Sequence, residues 1–303
     1  MASASANYRG IQYLLIAVTC LSINDACNKF VVATLPVSEI VTLRAILTGS
    51  IVIAVMGIRG EFASLRLLGR PDVIVRGVVE AWIGPLIIIS LAFMHQADVT
   101  SIYLVAPVFV ALVGFGHFRE QFSWWVLLAS AIALAGAWLF VDPGGGVFQT
   151  VALLPLAASG CQVLREVISR RMGIKAENGA AVSHAVVQLS TTLFSLVAGA
   201  ILAMFFSWAT PVAAWKWPDA TEFSFIVAAS VLFYLGVMGM YEAYRASDLS
   251  VVAPFRYWYL LVAIIIGYLV FGEVPTMRSF VGMATIVIAG IIVIWWQSRV
   301  RRA

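Results

Sequence analysis

Charged residues are scarce in this chain of 303 residues. Lys, Arg, Asp and Glu make up 11% of the sequence, whereas hydrophobic residues make up 62%. Soluble domains average about 25% charged residues, so this surface cannot face water on all sides. The scarcity excludes a soluble globular protein and indicates that lipid covers most of the surface. The formal net charge of +4 comes with no separate basic domain, so no nucleic-acid partner is predicted.

Motifs of catalysis and ATP binding are also missing. The chain contains no H-E-x-x-H, no G-x-S-x-G and no G-x-x-x-x-G-K-[ST] sequence, which argues against the corresponding hydrolases and a self-contained ATP-driven pump. His95, His117 and His184 have no partner at metal-ligand spacing. The three cysteines form no C-x-x-C pair. The sequence therefore predicts neither an enzyme nor a bound metal or cofactor.

Long apolar runs dominate what is present. Pro, Gly or charged residues separate ten of them, near residues 11–32, 38–58, 74–94, 98–117, 123–141, 150–170, 180–206, 223–246, 249–271 and 278–297. About 20 apolar residues suffice for a helix to cross the bilayer, and helices satisfy their own backbone groups in lipid. The predicted fold class is an all-α integral membrane protein with ten transmembrane helices.

Positive charges are distributed unequally between alternate connections. With the N-terminus inside, the cytoplasmic segments hold Arg9, Arg59, Arg66, Arg70, Arg76, Arg119, Arg170, Arg171, Lys175, Arg299, Arg301 and Arg302, and the outer segments hold Lys29, Lys216 and Arg278. Cytoplasmic loops of membrane proteins carry the excess of Lys and Arg. Both termini are therefore predicted to be cytoplasmic.

The second half of the chain repeats features of the first. The fourth run begins at Ala97-Asp98-Val99-Thr100-Ser101 and the ninth at Ala246-Ser247-Asp248-Leu249-Ser250; a Glu and a Gly-containing last run follow in both halves. The predicted repeats are residues 1–145 and 146–303. Five spans per repeat is an odd number, so the second repeat must be inverted relative to the first. Inverted repeats are typical of secondary transporters, whose substrate site lies near the midplane.

These repeated segments resemble the EamA family of the drug/metabolite transporter superfamily. The resemblance covers nearly the whole chain and is closest in Ala243-Tyr244-Arg245-Ala246, Val251-Val252-Ala253-Pro254-Phe255 and Phe271-Gly272-Glu273-Val274-Pro275; it is looser in Leu43-Arg44, Ala106-Pro107-Val108-Phe109 and Ala135-Gly136. Phe118-Arg119-Glu120 departs from the family's usual Leu-Gly-Glu. The resemblance implies metabolite transport, often outward from the bacterial cytoplasm, and hence the inner membrane. Similar members include exporters of amino acids and importers of adenosyl-metabolites or flavins.

Ionisable residues inside the runs are the first candidates for a substrate site, because charge in a bilayer is costly. Asn24 and Asp25 form either a polar cavity wall with a protonatable group, or an interhelical hydrogen-bonding cluster with Asn28. Glu80 is either a cavity group or the i,i+4 ion-pair partner of Arg76. The sequence leaves both alternatives open.

Aromatic residues are the second group of candidates. Arg256 opens the run Tyr257-Trp258-Tyr259, and Tyr234 and Tyr241 are seven residues apart on one helical face. Such rings could form a cage around a flat substrate, or an interfacial aromatic belt. The candidate substrate-binding residues are Asn24, Asp25, Glu80, Trp82, Tyr103, Tyr234, Tyr241, Arg256, Tyr257, Trp258 and Tyr259, and the candidate hinges are Pro85, Pro107 and Pro254.

The sequence and the resemblance together predict a secondary transporter that works by alternating access. The preferred substrate is an amino acid, aromatic or large and apolar, moving outward. Adenosyl-metabolites or flavins, imported or exchanged, are the alternative substrates, and a passive channel is the alternative class. The expected partners are a small-molecule substrate and the lipid bilayer, and a monomer can suffice because both repeats are in one chain. Glu120 and Glu273 are interpreted as caps or loop anchors.

Overall fold

The computed structural model describes residues 4–106, 108–109, 113, 124–141, 150–176, 182–205, 215–246 and 253–300, and these residues contain helices and no strand. The α-helices are α1 (Ala4–Val32), α2 (Val37–Arg59), α3 (Pro71–Ala81), α4 (Ile83–Phe93), α5 (Gln96–Tyr103), α6 (Trp124–Val141), α7 (Leu153–Ala176), α8 (His184–Phe205), α9 (Ala220–Ala246), α10 (Trp258–Phe271) and α11 (Met277–Val300). Short 3₁₀ helices cover Glu61–Gly69 and Ala253–Tyr257. Each of the ten predicted runs contains at least one of these helices.

Five helical segments in the described ranges are long and apolar enough to cross a membrane. They are Tyr8–Val32, Val37–Arg59, Pro71–Phe93, His184–Phe205 and Ala220–Ala243. Shorter apolar helices cover Leu127–Gly136, Phe255–Phe271 and Met277–Ile292. The all-helical membrane character is therefore confirmed, and the number of ten spans stays a prediction.

The third predicted run is interrupted, whereas the sequence predicts one helix there with a bend at Pro85. Helix α3 ends at Ala81, Trp82 is a turn residue, and α4 begins at Ile83. Pro85 is the physical reason, because it has no N–H to donate to the carbonyl of Ala81. Regular bonding resumes when the Leu86 N–H donates to Trp82 O at 3.2 Å.

The chain divides into two compact units, and both draw helices from the two halves of the sequence. Unit 1 consists of Met1–Ala26, Phe93–Ser159 and Leu232–Ala303, and unit 2 of Cys27–Ala92 and Gly160–Val231. This division follows spatial contact and does not test the predicted repeats 1–145 and 146–303, which stay a prediction.

In unit 1, α11 packs against α6, and α5 packs against α10 and α11. Small residues allow the close approach of α6 and α11, because a Cβ added to Gly136 would lie 2.9 Å from Ile286 Cγ1 and 3.1 Å from Gly282 O. Glu273 follows α10, and its Oε2 accepts a hydrogen bond from the backbone N–H of Gln96 at 3.0 Å. Glu273 therefore caps the first turn of α5, which confirms its interpretation as an anchor.

In unit 2, α8 packs against α2 and α3. The apolar core of unit 2 comprises Val31, Val32, Leu35, Val37, Ile40, Val41, Ile88, Leu202 and Ile226. A reciprocal capping box begins α9: the Asp219 N–H donates to Glu222 Oε2 at 2.8 Å, and the Glu222 N–H donates to Asp219 Oδ1 at 2.7 Å. Lys216 Nζ donates to Glu222 Oε1 at 2.8 Å, and this ties the preceding segment to the helix start.

Candidate functional site

A side-chain hydrogen bond in unit 1 joins α1 to α10. Tyr259 donates its hydroxyl hydrogen to Asp25 Oδ2, and Asn24 Nδ2 donates to Asp25 Oδ1 at 2.9 Å. Asp25 is 6% exposed. Tyr259 is held against α1 because its ring packs on a cluster that includes Leu14 and Val18. Two hydrogen-bond donors thus stabilise a buried carboxylate in the C-terminal third of α1.

Further candidate residues gather around this pair. Trp258 Nε1 donates to Thr19 Oγ1 at 3.2 Å, one and a half turns before Asp25 on α1. Arg256 and Tyr103 both lie near Tyr259. The structure therefore brings together groups from α1, α5 and α10 that are far apart in sequence.

Tyr257 takes a different position from its two neighbours. Its ring lies against Gly290 of α11, where any Cβ would collide with it. Its hydroxyl is buried and has no hydrogen-bond partner among the residues that the structure describes. Tyr257 therefore fills the space that glycine provides in α11, which explains the small residue at position 290.

Tyr234 and Tyr241 lie on the side of α9 that is turned away from α1. The packed side carries Gly236, where a Cβ would lie 2.7 Å from Leu21 Cγ, and Ala243, which joins the cluster of Leu14 and Val18. At 100° per residue, positions 234 and 241 are about opposite to 236 and 243. The Asp25–Tyr259 contact is therefore made without these two tyrosines, and their place in a cage stays a prediction.

Glu80 is the centre of an ionic network inside unit 2. Its Oε2 accepts from Arg76 Nη1 at 2.6 Å and from Thr191 Oγ1 at 2.9 Å, and its Oε1 accepts from Arg165 Nη1 at 2.8 Å. The Arg165 side chain also donates to Glu166 Oε1 at 3.0 Å. The predicted Arg76–Glu80 ion pair is present. The network connects α3, α7 and α8, so it stabilises the packing of unit 2.

The remaining candidates lie at or near helix breaks. Trp82 is the turn residue between α3 and α4 and packs against the core of unit 2, while Pro85 is buried in the first turn of α4. Pro254 belongs to the 3₁₀ segment before α10, and Pro107 lies outside the described residues. Their role as hinges stays a prediction.

Sequence reasoning missed several polar residues that the structure adds. Thr19 and Gln96 join the groups of unit 1, where Gln96 Nε2 donates to Ser22 O at 2.8 Å, and Arg165 and Thr191 join Glu80. Thr19, Gln96 and Thr191 are uncharged, so the cost of charge in lipid did not single them out. Arg165 could have been found as the partner that a buried Glu80 requires.

The arrangement in unit 1 suits a flat molecule that carries both charges. A buried carboxylate attracts a cationic group, and adjacent Tyr and Trp rings stack on flat groups and attract cations. Arg256, near the same tyrosine, can pair with a carboxylate. An open cleft of about 610 Å³ lined by Arg9, Gln12, Tyr13, Leu15 and Ile16 lies along the beginning of α1. It reaches the turn before Thr19, whose hydroxyl donates to Leu15 O at 2.8 Å.

Several proteins similar in sequence to this chain are named as transporters of metabolites. An S-adenosylmethionine uptake transporter of Rickettsia prowazekii is 20% identical over 96% of this chain and 94% of its own. The pseudopaline exporter CntI of Pseudomonas aeruginosa is 25% identical over 92% of this chain and 94% of its own. A riboflavin transporter of Vibrio cholerae is 25% identical over 67% of this chain and 63% of its own.

A solved crystal structure shares the fold, with a TM-score of 0.62 and 18% sequence identity over 95% of this chain and 97% of the other. Residues 8–142 match the EamA-like transporter family. This match and the transporters named above indicate a transporter rather than an enzyme. The family match over residues 8–142 agrees with the resemblance seen in the repeated segments, so this part of the chain is similar to an EamA-like transporter.

Proposed function

We propose that the protein is a secondary transporter of a zwitterionic metabolite that joins an amino-acid group to a flat ring system, with S-adenosylmethionine-like compounds as the preferred substrates. It works by alternating access in the inner membrane of a bacterium, with both termini cytoplasmic. Ten spans in two inverted halves form the transport path, and the direction of transport follows the gradients.

Pairs of helices that correspond in the two repeats support the inverted architecture. Helices α2, α5 and α6 fall in the second, fourth and fifth predicted spans, and α8, α10 and α11 fall in the seventh, ninth and tenth. Each packs against its counterpart: α2 against α8, α5 against α10, and α6 against α11. A pseudo-two-fold axis produces such contacts between corresponding elements.

The Asp25–Tyr259 contact is the observation that carries the substrate proposal. An anionic Asp25 and a cationic Arg256 near the same ring match the ammonium and carboxylate of an amino-acid group. The aromatic residues around them match a nucleobase or another flat group. Riboflavin has no ammonium group, so this arrangement favours adenosylated amino acids over flavins.

Aromatic amino acids are the second candidate, and their export is the alternative. Phenylalanine offers the same charged group and one ring, and Trp258 and Tyr259 could contact that ring. The larger adenosyl group would contact more of the surrounding residues, including Tyr103. A passive channel is disfavoured because the polar groups are unlike one another and do not form a ring of identical side chains.

Counterflow in proteoliposomes tests the proposal. Vesicles loaded with unlabelled S-adenosylmethionine should accumulate labelled S-adenosylmethionine saturably. Labelled phenylalanine should accumulate more slowly in vesicles loaded with phenylalanine, and labelled riboflavin should not accumulate in vesicles loaded with riboflavin. Asp25→Asn should raise the half-saturation concentration, and Tyr259→Phe should do so less, because it keeps the ring. Tyr241→Phe is the matched control, since Tyr241 is 39% exposed and lies on the opposite side of α9.

Each result separates the candidates. Flux of phenylalanine without flux of adenosyl compounds would establish the aromatic amino-acid carrier in place of the preferred substrate. Flux that rises linearly with concentration would indicate a channel. Equal effects of Tyr259→Phe and Tyr241→Phe would remove the Asp25–Tyr259 contact from the site.

A further inference from the structure

Three buried side-chain oxygen atoms on α5 have no hydrogen-bond partner in the described part of the chain: Gln96 Oε1, Asp98 Oδ1 and Thr100 Oγ1. At 100° per residue, Asp98 lies on the opposite side of α5 from the other two, and its second oxygen is 3.5 Å from His95 Nδ1. Gln96 and Thr100 are 0% and 2% exposed, and a buried polar group without a partner is costly. The two that share one face, four residues apart, point to a ligand that supplies the missing partners.

Thr100 departs from the usual behaviour of helical hydroxyl groups in this chain. Ser101 donates to Ala97 O at 2.6 Å, and Thr19 and Thr192 likewise donate to the carbonyl four residues earlier. This back-bond is the standard way to satisfy a Ser or Thr hydroxyl inside a helix. The Thr100 hydroxyl lacks it, so its hydrogen is available to an acceptor outside the helix.

The amide of Gln96 is held in one orientation. Its Nε2 lies 2.8 Å from Ser22 O and 3.2 Å from Ser22 Oγ. A backbone carbonyl can only accept, so the atom facing it must be the amide nitrogen. The other end of the amide is therefore fixed as an acceptor, Oε1.

Both groups are on the face of α5 that is turned toward the Asp25–Tyr259 contact. Positions 96, 100 and 103 lie within about 60° of one another at 100° per residue. Gln96 contacts Ser22, which precedes Asp25 by less than one turn of α1, and Tyr103 lies near Tyr259. The face of α5 with residues 96, 100 and 103 thus continues the site.

We propose that Gln96 and Thr100 form a subsite that binds the edge of adenine with the 6-amino group. Through this subsite the transporter distinguishes adenosyl from inosyl compounds. Gln96 Oε1 accepts a hydrogen from the 6-amino group, and Thr100 donates to the adjacent ring nitrogen. Hypoxanthine has the opposite polarity at both positions, an oxygen acceptor and an N–H donor. The Gln96 acceptor would then face an oxygen, which disfavours binding. This inference rests on the proposed function.

Competition for counterflow by S-adenosylhomocysteine and S-inosylhomocysteine tests the subsite. In the wild type, the adenosyl compound should compete at a concentration at least about tenfold lower, the ratio expected from one to two hydrogen bonds. Gln96→Met removes the fixed acceptor at similar side-chain length and should reduce this ratio severalfold. Thr100→Val removes a hydroxyl that can both donate and accept, so it should weaken competition by both compounds and change the ratio less than Gln96→Met does. Ser101→Ala is the matched control, because Ser101 is equally buried but back-bonded, and it should leave the ratio unchanged.

The outcomes separate this inference from the proposed function. If adenosyl compounds are transported but S-adenosylhomocysteine and S-inosylhomocysteine compete equally, the proposed subsite is wrong. The proposed function would still stand. A ratio that Gln96→Met and Ser101→Ala change equally would also overturn the subsite. No binding of adenosyl compounds by the folded wild type would overturn both. Size-exclusion chromatography in detergent verifies that each variant is folded, and Gln96→Leu supplies a second variant if Gln96→Met does not fold.

Discussion

Removing the charge of Glu80 should destabilise the protein strongly. Glu80→Gln keeps the shape of the side chain but leaves Arg76 and Arg165 facing a neutral amide in the interior of unit 2. Three hydrogen bonds of 2.6–2.9 Å now satisfy the carboxylate. The carboxamide can still accept at one oxygen, but its nitrogen would face an arginine donor.

The burial of the network sets the size of this effect. The side chains of Glu80, Arg76 and Arg165 are 7%, 12% and 18% exposed, so water can compensate little of the lost charge. Removing one member of a buried ion pair costs about 3–5 kcal/mol. With a shift of about 2–4 °C per kcal/mol for a large domain, the melting temperature should fall by roughly 6–20 °C.

Thermal unfolding in detergent, followed by the loss of the monodisperse peak in size-exclusion chromatography, measures this change. Glu166→Gln is the matched control, since Glu166 pairs with the same Arg165 but is 34% exposed. It should cost at most about 1 kcal/mol, as exposed ion pairs do. If the two variants melt at the same temperature, the network is not structural, and Glu80 returns as a candidate for substrate or proton binding.

Two further substitutions test the packing of the helices. Gly136→Ala should push α6 away from α11, because the new methyl group would meet Ile286 and the backbone of Gly282; we expect a lower melting temperature, with Ala135→Val at an exposed neighbouring position as the control. Asp219→Ala removes the N-cap of α9 and should cost about 1 kcal/mol, measured by the same assay, whereas Asp219→Asn should retain most of the stability.

Apolar runs were sufficient to predict the helices, because each run of spanning length has one favourable conformation in lipid. The interruption at Trp82 was not predicted. Pro85 was recognised as a bend, but whether a proline bends a helix or breaks it depends on the packing of both halves. The same limit applies to small residues. Small residues such as Gly136 allow two helices to pack closely, but only the structure identifies α11 as the partner of α6.

The sequence was sufficient to predict the ionisable residues of the candidate site. It was not sufficient to predict which residues bind them. Asp25 and Glu80 were both identified from the cost of charge in lipid, and the sequence left a structural and a functional role open for each. The structure places Glu80 between two arginines and a threonine, so any role in transport would require these contacts to break. Asp25 instead accepts hydrogen bonds from Asn24 and from the ring hydroxyl of Tyr259.

We propose that the two carboxylates have different tasks. The carboxylate of Glu80, held by two arginines, has its charge neutralised within the protein and serves to join helices. The contacts of Asp25 with Asn24 and Tyr259 place its carboxylate beside aromatic rings, where a cationic group can bind. The substrate proposal therefore depends on Asp25 and not on Glu80. It follows that Asp25→Asn should alter transport more than the melting temperature, whereas Glu80→Gln should do the reverse.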